Sequence, residues 1–481
     1  MASNDVGKMQ FSALFVLEKC KALIKIFLRK FLMLQRKITK EIEKWFSEST
    51  TALLIDGARQ VGKTTAIEAF LEASNLHYVK LNLYEDQLAK ASFNNATDTE
   101  SLLLRIKALT KDDLEEGTII FIDEIQEPED AITPIKFLVQ ETKYRFIFSG
   151  SLLGVKMKEI ASIPAGYMSI LNMYPMDFEE FLWANLVSEK IIVYLKNCFE
   201  QRKSVDAIVH RQMMGLFNAY LAVGGMPRSV SVFVETKSLG RVNAALEDID
   251  AAYRVDIAKY KKDQKLMLEE IYDLIPSELN AQNKRFILKS LNKKSRFYQQ
   301  EASFAWLKNS GVGLFVHNVD NPVYPLLASK ERTLFKLFLC DTGLLSYKLY
   351  SGNQIALLDE NAPLNYGAIY ESAVAQELKA HGFDLYYNSD KKRGEIDFLI
   401  EKDRKVIPIE VKSGKDYRRH NALSALLSSD AFNYELGYVL SKGNVETKGK
   451  AIYLPIYMVM FLDNKRNFKD QIVDLDISSL I

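Results

Sequence analysis

Cysteine is scarce in these 481 residues: Cys20, Cys198 and Cys340 stand far apart, and none belongs to a C-x-x-C pair. That excludes a disulfide framework and a cysteine-bound structural zinc, and it points to a reducing, cytoplasmic setting. Histidine is little more frequent, with five scattered residues, so any metal is expected on oxygen ligands. Charge of one sign is also lacking: 63 basic and 62 acidic residues leave a net +1. No global field then draws the chain to a polyanion, and such contact must come from local patches. Long apolar runs are absent too. The nearest approach, FSALFVLEKCKALIKIFLRKFLM, is broken by Lys19, Lys21, Lys25, Arg29 and Lys30, which leaves nothing to span a bilayer. It shows no small-residue cleavage site for a secretory signal. Residues 1–32 read as an extension before the first domain, and membrane contact through their amphipathic pattern is the weaker alternative.

The chain is too long for one ordinary core, so two to four domains are expected. The stretch TALLIDGARQVGKTTAIEAF, Thr51 to Phe70, organises the rest. An apolar strand (Ala52 to Ile55) leads into GARQVGKT, which matches G-x-x-x-x-G-K-[ST], and a helix follows from about Ala66. Backbone N–H groups along Gly57, Ala58, Arg59, Gln60, Val61, Gly62, Lys63, Thr64 and Thr65 can cradle phosphates at the positive end of that helix. Lys63 would reach the β- and γ-phosphates of ATP, and the Thr64 hydroxyl would bind Mg²⁺. A plain glycine turn would not require Lys-Thr at this offset.

The run TIIFI, Thr118 to Ile122, reads as a strand buried in a parallel sheet and ends in Asp123-Glu124. Asp123 there can hold the Mg²⁺ shell, and Glu124 can orient or deprotonate the attacking water. A second apolar strand, RFIFSGSLLG, ends in Ser149-Gly150-Ser151, where Ser151 either contacts the γ-phosphate or simply makes a turn.

Taken in order, GARQVGKTT, FIDEIQ, SGS, PAGY…PMDFEEFL and YLAVGGMPRSV resemble a large group of prokaryotic ATPases of the AAA+ type, over nearly all the chain from about Met33. In that group a C-terminal region classed as a domain of unknown function is commonly followed by a restriction-endonuclease-like segment. The resemblance implies an ATPase in which Asp123, Glu124 and Ser151 serve the nucleotide. It also implies that a homo-oligomer is to be looked for, since many AAA+ relatives assemble into rings. It does not choose among Arg59, Arg228 and Arg254 as an arginine finger.

Residues from about Ser188 to Lys262 are rich in helix formers, interrupted by GGMPRS. From Leu266 to Val319 the pattern is helix, helix, helix, strand, which suits a winged helix with Gly311 ending the third helix. Lys284, Arg285, Lys289, Lys293, Lys294 and Arg296 make this region basic. Either it contacts DNA or it is a packing module with a solvated face. Further on, EIDFLIE and VIPIEVKS read as two strands joined by a charged turn. Asp397 on the first, with Glu410-x-Lys412 on the second, matches the D…(D/E)-x-K core of restriction-like nucleases. Period-two alternation puts Glu410 and Lys412 on one face. Asp397, Glu410 and Glu371, on the preceding helix, are the candidate Mg²⁺ ligands, and Lys412 would position the attacking water. Lys391, Lys392, Arg393, Lys415, Arg418 and Arg419 flank this core and can meet backbone phosphates of DNA or RNA.

The expected fold is therefore α/β. An extension and helix (1–44) precede a P-loop NTPase domain of AAA+ type with a parallel sheet (about 45–185). A helical and winged-helix middle (about 186–345) and a restriction-endonuclease-like α/β domain (about 350–481) follow. The expected function is Mg²⁺-dependent ATP hydrolysis coupled to a nuclease-like domain that acts on or binds nucleic acid. The alternative is a nucleotide-dependent switch that recruits a partner and cleaves nothing.

Overall fold

The computed structural model describes residues 34–94, 98–128, 135–136, 138–140, 143–151, 166–259, 262–291, 297–350, 352–359, 366–414, 416–429 and 431–464. The extension at 1–32, and Lys293, Lys294, Arg296 and Lys415, lie outside them.

Helix α1 (Ile38–Glu48) buries Ile38, Ile42 and Trp45, one stripe at helical spacing. Arg145 ties this helix to the first sheet: its guanidinium lies 4.6 Å and 4.2 Å from the Trp45 and Phe46 ring centres and donates to the Phe46 carbonyl at 2.8 Å. Strand β1 (Ala52–Asp56), α2 (Lys63–Ser74), β2 (Tyr78–Asn82), α3 (Gln87–Asn94), α4 (Thr99–Thr110), β3 (Ile119–Asp123), β4 (Arg145–Gly150) and β5 (Met168–Asn172) follow. The five strands form one parallel sheet in the order β2-β3-β4-β1-β5. Its inner strands β1, β3 and β4 read as apolar runs because both faces are covered, while the edge strands β2 and β5 carry polar residues. Ile119 and Phe121 enter the main core with Leu53 and Ile55, while Ile120 and Ile122 enter a second core with Leu54 and Phe148.

Beyond the sheet come α5 (Phe178–Ala184), α6 (Glu189–Gln201), α7 (Ala207–Val223), α8 (Pro227–Thr236), α9 (Leu239–Ala258) and α10 (Lys262–Asn280). The GGMPRS stretch interrupts them as expected, with Pro227 starting α8 where a missing N–H costs nothing. The expected middle helix of the winged-helix pattern is reduced to a single 3₁₀ turn, Leu288–Ser290, before α11 (Phe297–Asn309).

Strand β6 (Gly313–Val319) pairs antiparallel with β7 (Lys330–Leu339), but it also pairs in parallel with β8 (Tyr386–Asp390). After α12 (Thr342–Tyr350) and α13 (Tyr366–Ala380), strands β8, β9 (Gly394–Lys402), β10 (Lys405–Val411), β11 (Gly437–Ser441), β12 (Glu446–Lys448) and β13 (Ala451–Pro455) complete an eight-stranded mixed sheet. Its order is β12-β13-β11-β10-β9-β8-β6-β7, and helix α14 (Asn421–Leu427) packs on it. A division at 345–350 would cut this sheet. Splitting there would leave β6 and β8 with open edges of unpaired backbone groups, so the hairpin belongs with the C-terminal strands.

Two buried contacts join the layers. At Gly225 the backbone passes so close to residue 176 that an added Cβ would lie 2.0 Å from the Met176 oxygen. The Gly225 N–H donates to Asp341 Oδ2 at 2.6 Å, and its carbonyl accepts from the Met176 N–H at 2.7 Å. Elsewhere Asp177 of the α5 cap holds Lys37 Nζ at 2.6 Å and His381 Nε2 at 3.0 Å.

Gly225→Ala is expected to destabilise the protein by about 3 kcal/mol or more, since backbone rather than a flexible side chain blocks the methyl group. Thermal unfolding measures this, with Gly215→Ala, which meets nothing within 4 Å, as the control. A second expectation concerns pH. Burial alone would lower the His381 pKa, but the hydrogen bond and charge of Asp177 outweigh it and raise it. Burial pushes the Glu377 carboxyl up to about 7. Both folded-state values lie above the unfolded ones, so their stabilisation is complete at low pH and is lost as pH rises through them. The melting temperature should fall as pH rises from about 4.5 through 7, and less steeply in His381→Gln.

Candidate functional site

Because the first sheet is parallel, its strand ends open on one edge, the usual place for a ligand in such folds. Strand β1 delivers the phosphate-binding loop there. An added Cβ at Gly57 would lie 2.2 Å from the Met173 oxygen, so only glycine lets β1 turn beside the end of β5. Gly62 has φ 95° and caps α2 in the left-handed region. Gln60, at φ 65°, shares that conformation without glycine's freedom. The loop's N–H groups thereby run into the start of α2, an anion cradle. Lys63 is buried, and its ammonium donates to the Gly57 and Ala58 carbonyls at 2.9 Å each. Burial lowers its pKa against the opposing pull of Glu124 and Asp56.

Strand β4 lies between β1 and β3, so Asp123 stands two strand spacings, on the order of 10 Å, from the end of β1. Helix α2 closes that gap. Thr64 Oγ1 lies 3.0 Å from both carboxylate oxygens of Asp123. Ser149 of β4 also donates to Asp123, and Asn82 of β2 approaches it at 3.4 Å. A hydroxyl and a carboxylate facing each other at this spacing are hard oxygen ligands of the kind Mg²⁺ takes while keeping several waters. Thr64 and Asp123 thus fit the ion the sequence called for.

Glu124 follows with φ 56°, a left-handed residue that turns its carboxylate away from the strand. Gln126 and Ser151 both donate to its Oε2, the latter at 3.2 Å. The Ser151 N–H donates to Gln126 Oε1 at 3.1 Å. The sequence reading overlooked Gln126, which joins Glu124 to Ser151, and Ser149, which supports Asp123. Strand alternation carried the signal for Ser149, because β4 must turn one of its two serines toward β3. Of the arginine-finger candidates, Arg59 pairs with the buried Asp256 of α9 at 2.6 Å. Arg228 pairs with Asp248, and Arg254 with Asp250 and Asp273. All three are engaged within the chain.

The second constellation is assembled differently from its expectation. Strands β9 and β10 form the expected hairpin, Ile409 opposite Phe398. Glu410 and Lys412 share a face, paired at 2.7 Å. Asp397 accepts the Val411 N–H at 2.8 Å, and Glu371 is buried in α13. The sequence reading did not include Lys336. From β7 its ammonium, fully buried, reaches Glu371 at 3.1 Å, Glu395 at 2.9 Å and Asp397 at 3.6 Å. Lys284 binds the other oxygen of Glu371. Burial, aided by the charges of Glu371 and Glu410, pushes the Asp397 carboxyl up to about 8. Among the described residues no group of three or more His, Cys, Asp or Glu is placed to hold a metal. Lys336, Lys284 and Lys412 thus stand among the expected Mg²⁺ ligands Glu371, Asp397 and Glu410. Glu410 Oε2, buried without a partner, offers one free oxygen where Mg²⁺ needs several.

The phosphate loop, the acidic strand end and the parallel sheet coincide with a family match: residues 49–182 fit the model of an AAA domain. This part of the chain is an AAA-type P-loop domain. Outside it, residues 214–354 and 366–459 match two domains of unknown function, DUF8612 and DUF4143. No curated protein matches the sequence. Solved structures similar to the chain include a Walker-type ATPase of Pyrococcus abyssi, 13% identical, covering 66% of this chain and 95% of its own, at a TM-score of 0.42. Others are the Aeropyrum pernix ORC1 protein in complex with DNA (14% identical; 69% and 94% covered; TM-score 0.22) and a Thermotoga maritima RuvB mutant (12% identical; 58% and 89% covered; TM-score 0.28). At those scores the likeness carries no functional information. No helix among the described residues is long and apolar enough to cross a membrane. Cys198 and Cys340 of the AAA-bearing chain are free and buried.

Thr64→Val keeps the shape of the α2 start but removes the hydroxyl facing Asp123. ATP turnover at saturating Mg²⁺ should fall about tenfold or more, while nucleotide binding in EDTA stays within about twofold. Equal losses with and without Mg²⁺ would show that Thr64 acts only on the fold.

Proposed function

We propose that this protein hydrolyses ATP with Mg²⁺ and uses the nucleotide cycle as a switch on the layers packed against its AAA domain. The observation that carries this reading is the Thr64–Asp123 contact across β4, at 3.0 Å to both carboxylate oxygens. It gathers phosphate cradle, ion ligands and acidic strand end on one edge. Backbone N–H groups from Gly57 to Thr65 would bind the β- and γ-phosphates, and Lys63 would leave its two loop carbonyls for them. Bound between Thr64 and Asp123, Mg²⁺ would offset the negative charge on the phosphate oxygens. Glu124 would orient the attacking water and take its proton once freed from Gln126 and Ser151. Ser151 would then report on the γ-phosphate through that same set of hydrogen bonds.

The switch reading is supported by what holds the loop from outside. Asp256 and Tyr253 of α9 grip Arg59, through the ion pair and through a hydrogen bond from the Tyr253 hydroxyl to the Arg59 carbonyl at 3.1 Å. Any rearrangement of the loop around phosphates is felt by α9. For the partner, the exposed Lys391, Lys392, Arg418 and Arg419 and the half-buried Arg393 beside the C-terminal sheet favour a nucleic-acid backbone, DNA or RNA, bound through phosphates.

Lys63→Ala should lower ATP turnover about a hundredfold or more, measured as phosphate release. Turnover that survives the change would defeat the site assignment. Nucleic-acid binding, read by anisotropy of a labelled duplex and a labelled single strand, should weaken in Arg418→Ala/Arg419→Ala and become stronger at low salt. Indifference to both would remove nucleic acid as the partner and leave the ATP switch standing.

A further inference from the structure

We infer that Lys336 supplies the resident cation of the C-terminal carboxylate cluster, so that this domain holds no divalent ion there and does not cleave phosphodiesters. The hairpin carries every residue of the D…(D/E)-x-K pattern, Asp397, Glu410 and Lys412, with Glu371 beside it. What departs from a metal site is the cation at the centre.

The Lys336 ammonium lies within hydrogen-bond distance of Glu371 and Glu395, at 3.1 and 2.9 Å, and makes a longer ionic contact with Asp397 at 3.6 Å. Mg²⁺ demands oxygens at roughly 2.0–2.1 Å. Oxygens spread about an ammonium would have to close in around a smaller ion whose place is already taken. Charge gives the same answer. Lys284, Arg285, Lys336 and Lys412 pair with Glu371, Glu395, Asp397 and Glu410. Four basic groups meet four carboxyl groups, and no negative excess remains to draw a dication out of water. Displacing Lys336 would strand a fully buried ammonium, because no solvent reaches its side chain. The innermost members are closed to solvent, the Glu371 side chain being 2% exposed and that of Lys336 not at all, while Asp397 at 14% lies nearer the surface. The lysine arrives from β7, on the N-terminal side of the expected boundary at 345–350, so the cluster also fastens that hairpin to the C-terminal sheet.

The test uses the full-length protein without nucleotide and Mn²⁺ as the probe, followed by electron paramagnetic resonance and by calorimetry. Wild type should show no Mn²⁺ site that Asp397→Asn removes. Lys336→Met, similar in length and uncharged, should gain one Mn²⁺ per chain and be stabilised by it against heat. A wild-type site lost in Asp397→Asn overturns the inference, as does a folded Lys336→Met that takes no Mn²⁺. Where Lys336→Met does not fold, the comparison of wild type with Asp397→Asn decides alone. Duplex and single-stranded DNA and RNA should stay intact with wild type in Mg²⁺ or Mn²⁺, and cleavage abolished by Asp397→Asn would overturn the inference independently. The outcome is separate from the ATP reading, since Lys63→Ala leaves this cluster untouched.

Discussion

The three layers of this fold meet at the carbonyl of Met176. Tyr220 of α7 donates to it at 2.9 Å and Gln376 of α13 at 3.2 Å. The Met176 N–H is taken by Gly225, whose own N–H goes to Asp341. Gln376 in turn accepts from the Thr342 N–H at 2.8 Å. None of these groups reaches water, so each must be satisfied by the others. The AAA domain, the helical layer and the C-terminal sheet hold one another's position through this junction. Its close approach exists because residues 224, 225 and 343 have no side chains: an added Cβ at Gly343 would meet the Val223 oxygen at 2.5 Å.

The motifs that could be read in the sequence are those whose spacing is set by local chemistry. The loop from Gly57 to Thr64 is legible because a phosphate cradle needs its glycines and Lys-Thr at fixed offsets. The strand ending in Asp123 is legible because a two-faced parallel strand must be apolar throughout. The β9–β10 hairpin is legible from alternation. What escaped depends on partners far away in the chain. The pairing of β6 with β8 joins His317 to Tyr386, and no local pattern announces a neighbour that distant. Lys336 sits in KLFL, which reads as a strand with one outward lysine. Only the sheet order shows that this face points at Glu371. The winged-helix expectation counted a helix over NKRFILKSL, where Ile287 turns extended and a single 3₁₀ turn replaces the second helix.

The place of the β6–β7 hairpin in the C-terminal sheet changes the meaning of the C-terminal motif. Residues that match a pattern say which atoms are present; the third dimension says what charge stands among them. Carboxylates brought together by folding need a cation, and either a metal or a lysine can serve. A lysine contributed by a neighbouring strand makes the cluster part of the fold's framework. Metal ligands of a nuclease would have to stay open to a phosphate, and here the innermost, Glu371, is shut away with Lys336.

The two constellations are linked by a short physical route. Arg59 of the phosphate loop gives its carbonyl to Tyr253, whose hydroxyl lies 3.8 Å from Cys340 Sγ. Cys340 follows β7 directly, and its N–H donates to the Val312 carbonyl at 2.9 Å. Just before Val312, the backbone at Gly311 runs so close to the loop that an added Cβ would stand 3.0 Å from the Ala58 nitrogen. The open end of the β6–β7 hairpin therefore meets the nucleotide loop, directly at Gly311 and through Tyr253 at Cys340, while β7 carries Lys336 into the acidic cluster. Contacts alone do not make a signal; a coupled site needs an element with two arrangements that both ends bias. The hairpin has the contacts that such an element needs on both sides. The buried ion pairs fix it at the C-terminal sheet, and the loop that touches it at Ala58 is the one that would enclose phosphates. A rearrangement at Gly57–Gly62 then either moves the hairpin against its ionic anchor or is resisted by it. In both cases the cost of loading the loop depends on a cluster that performs no chemistry of its own.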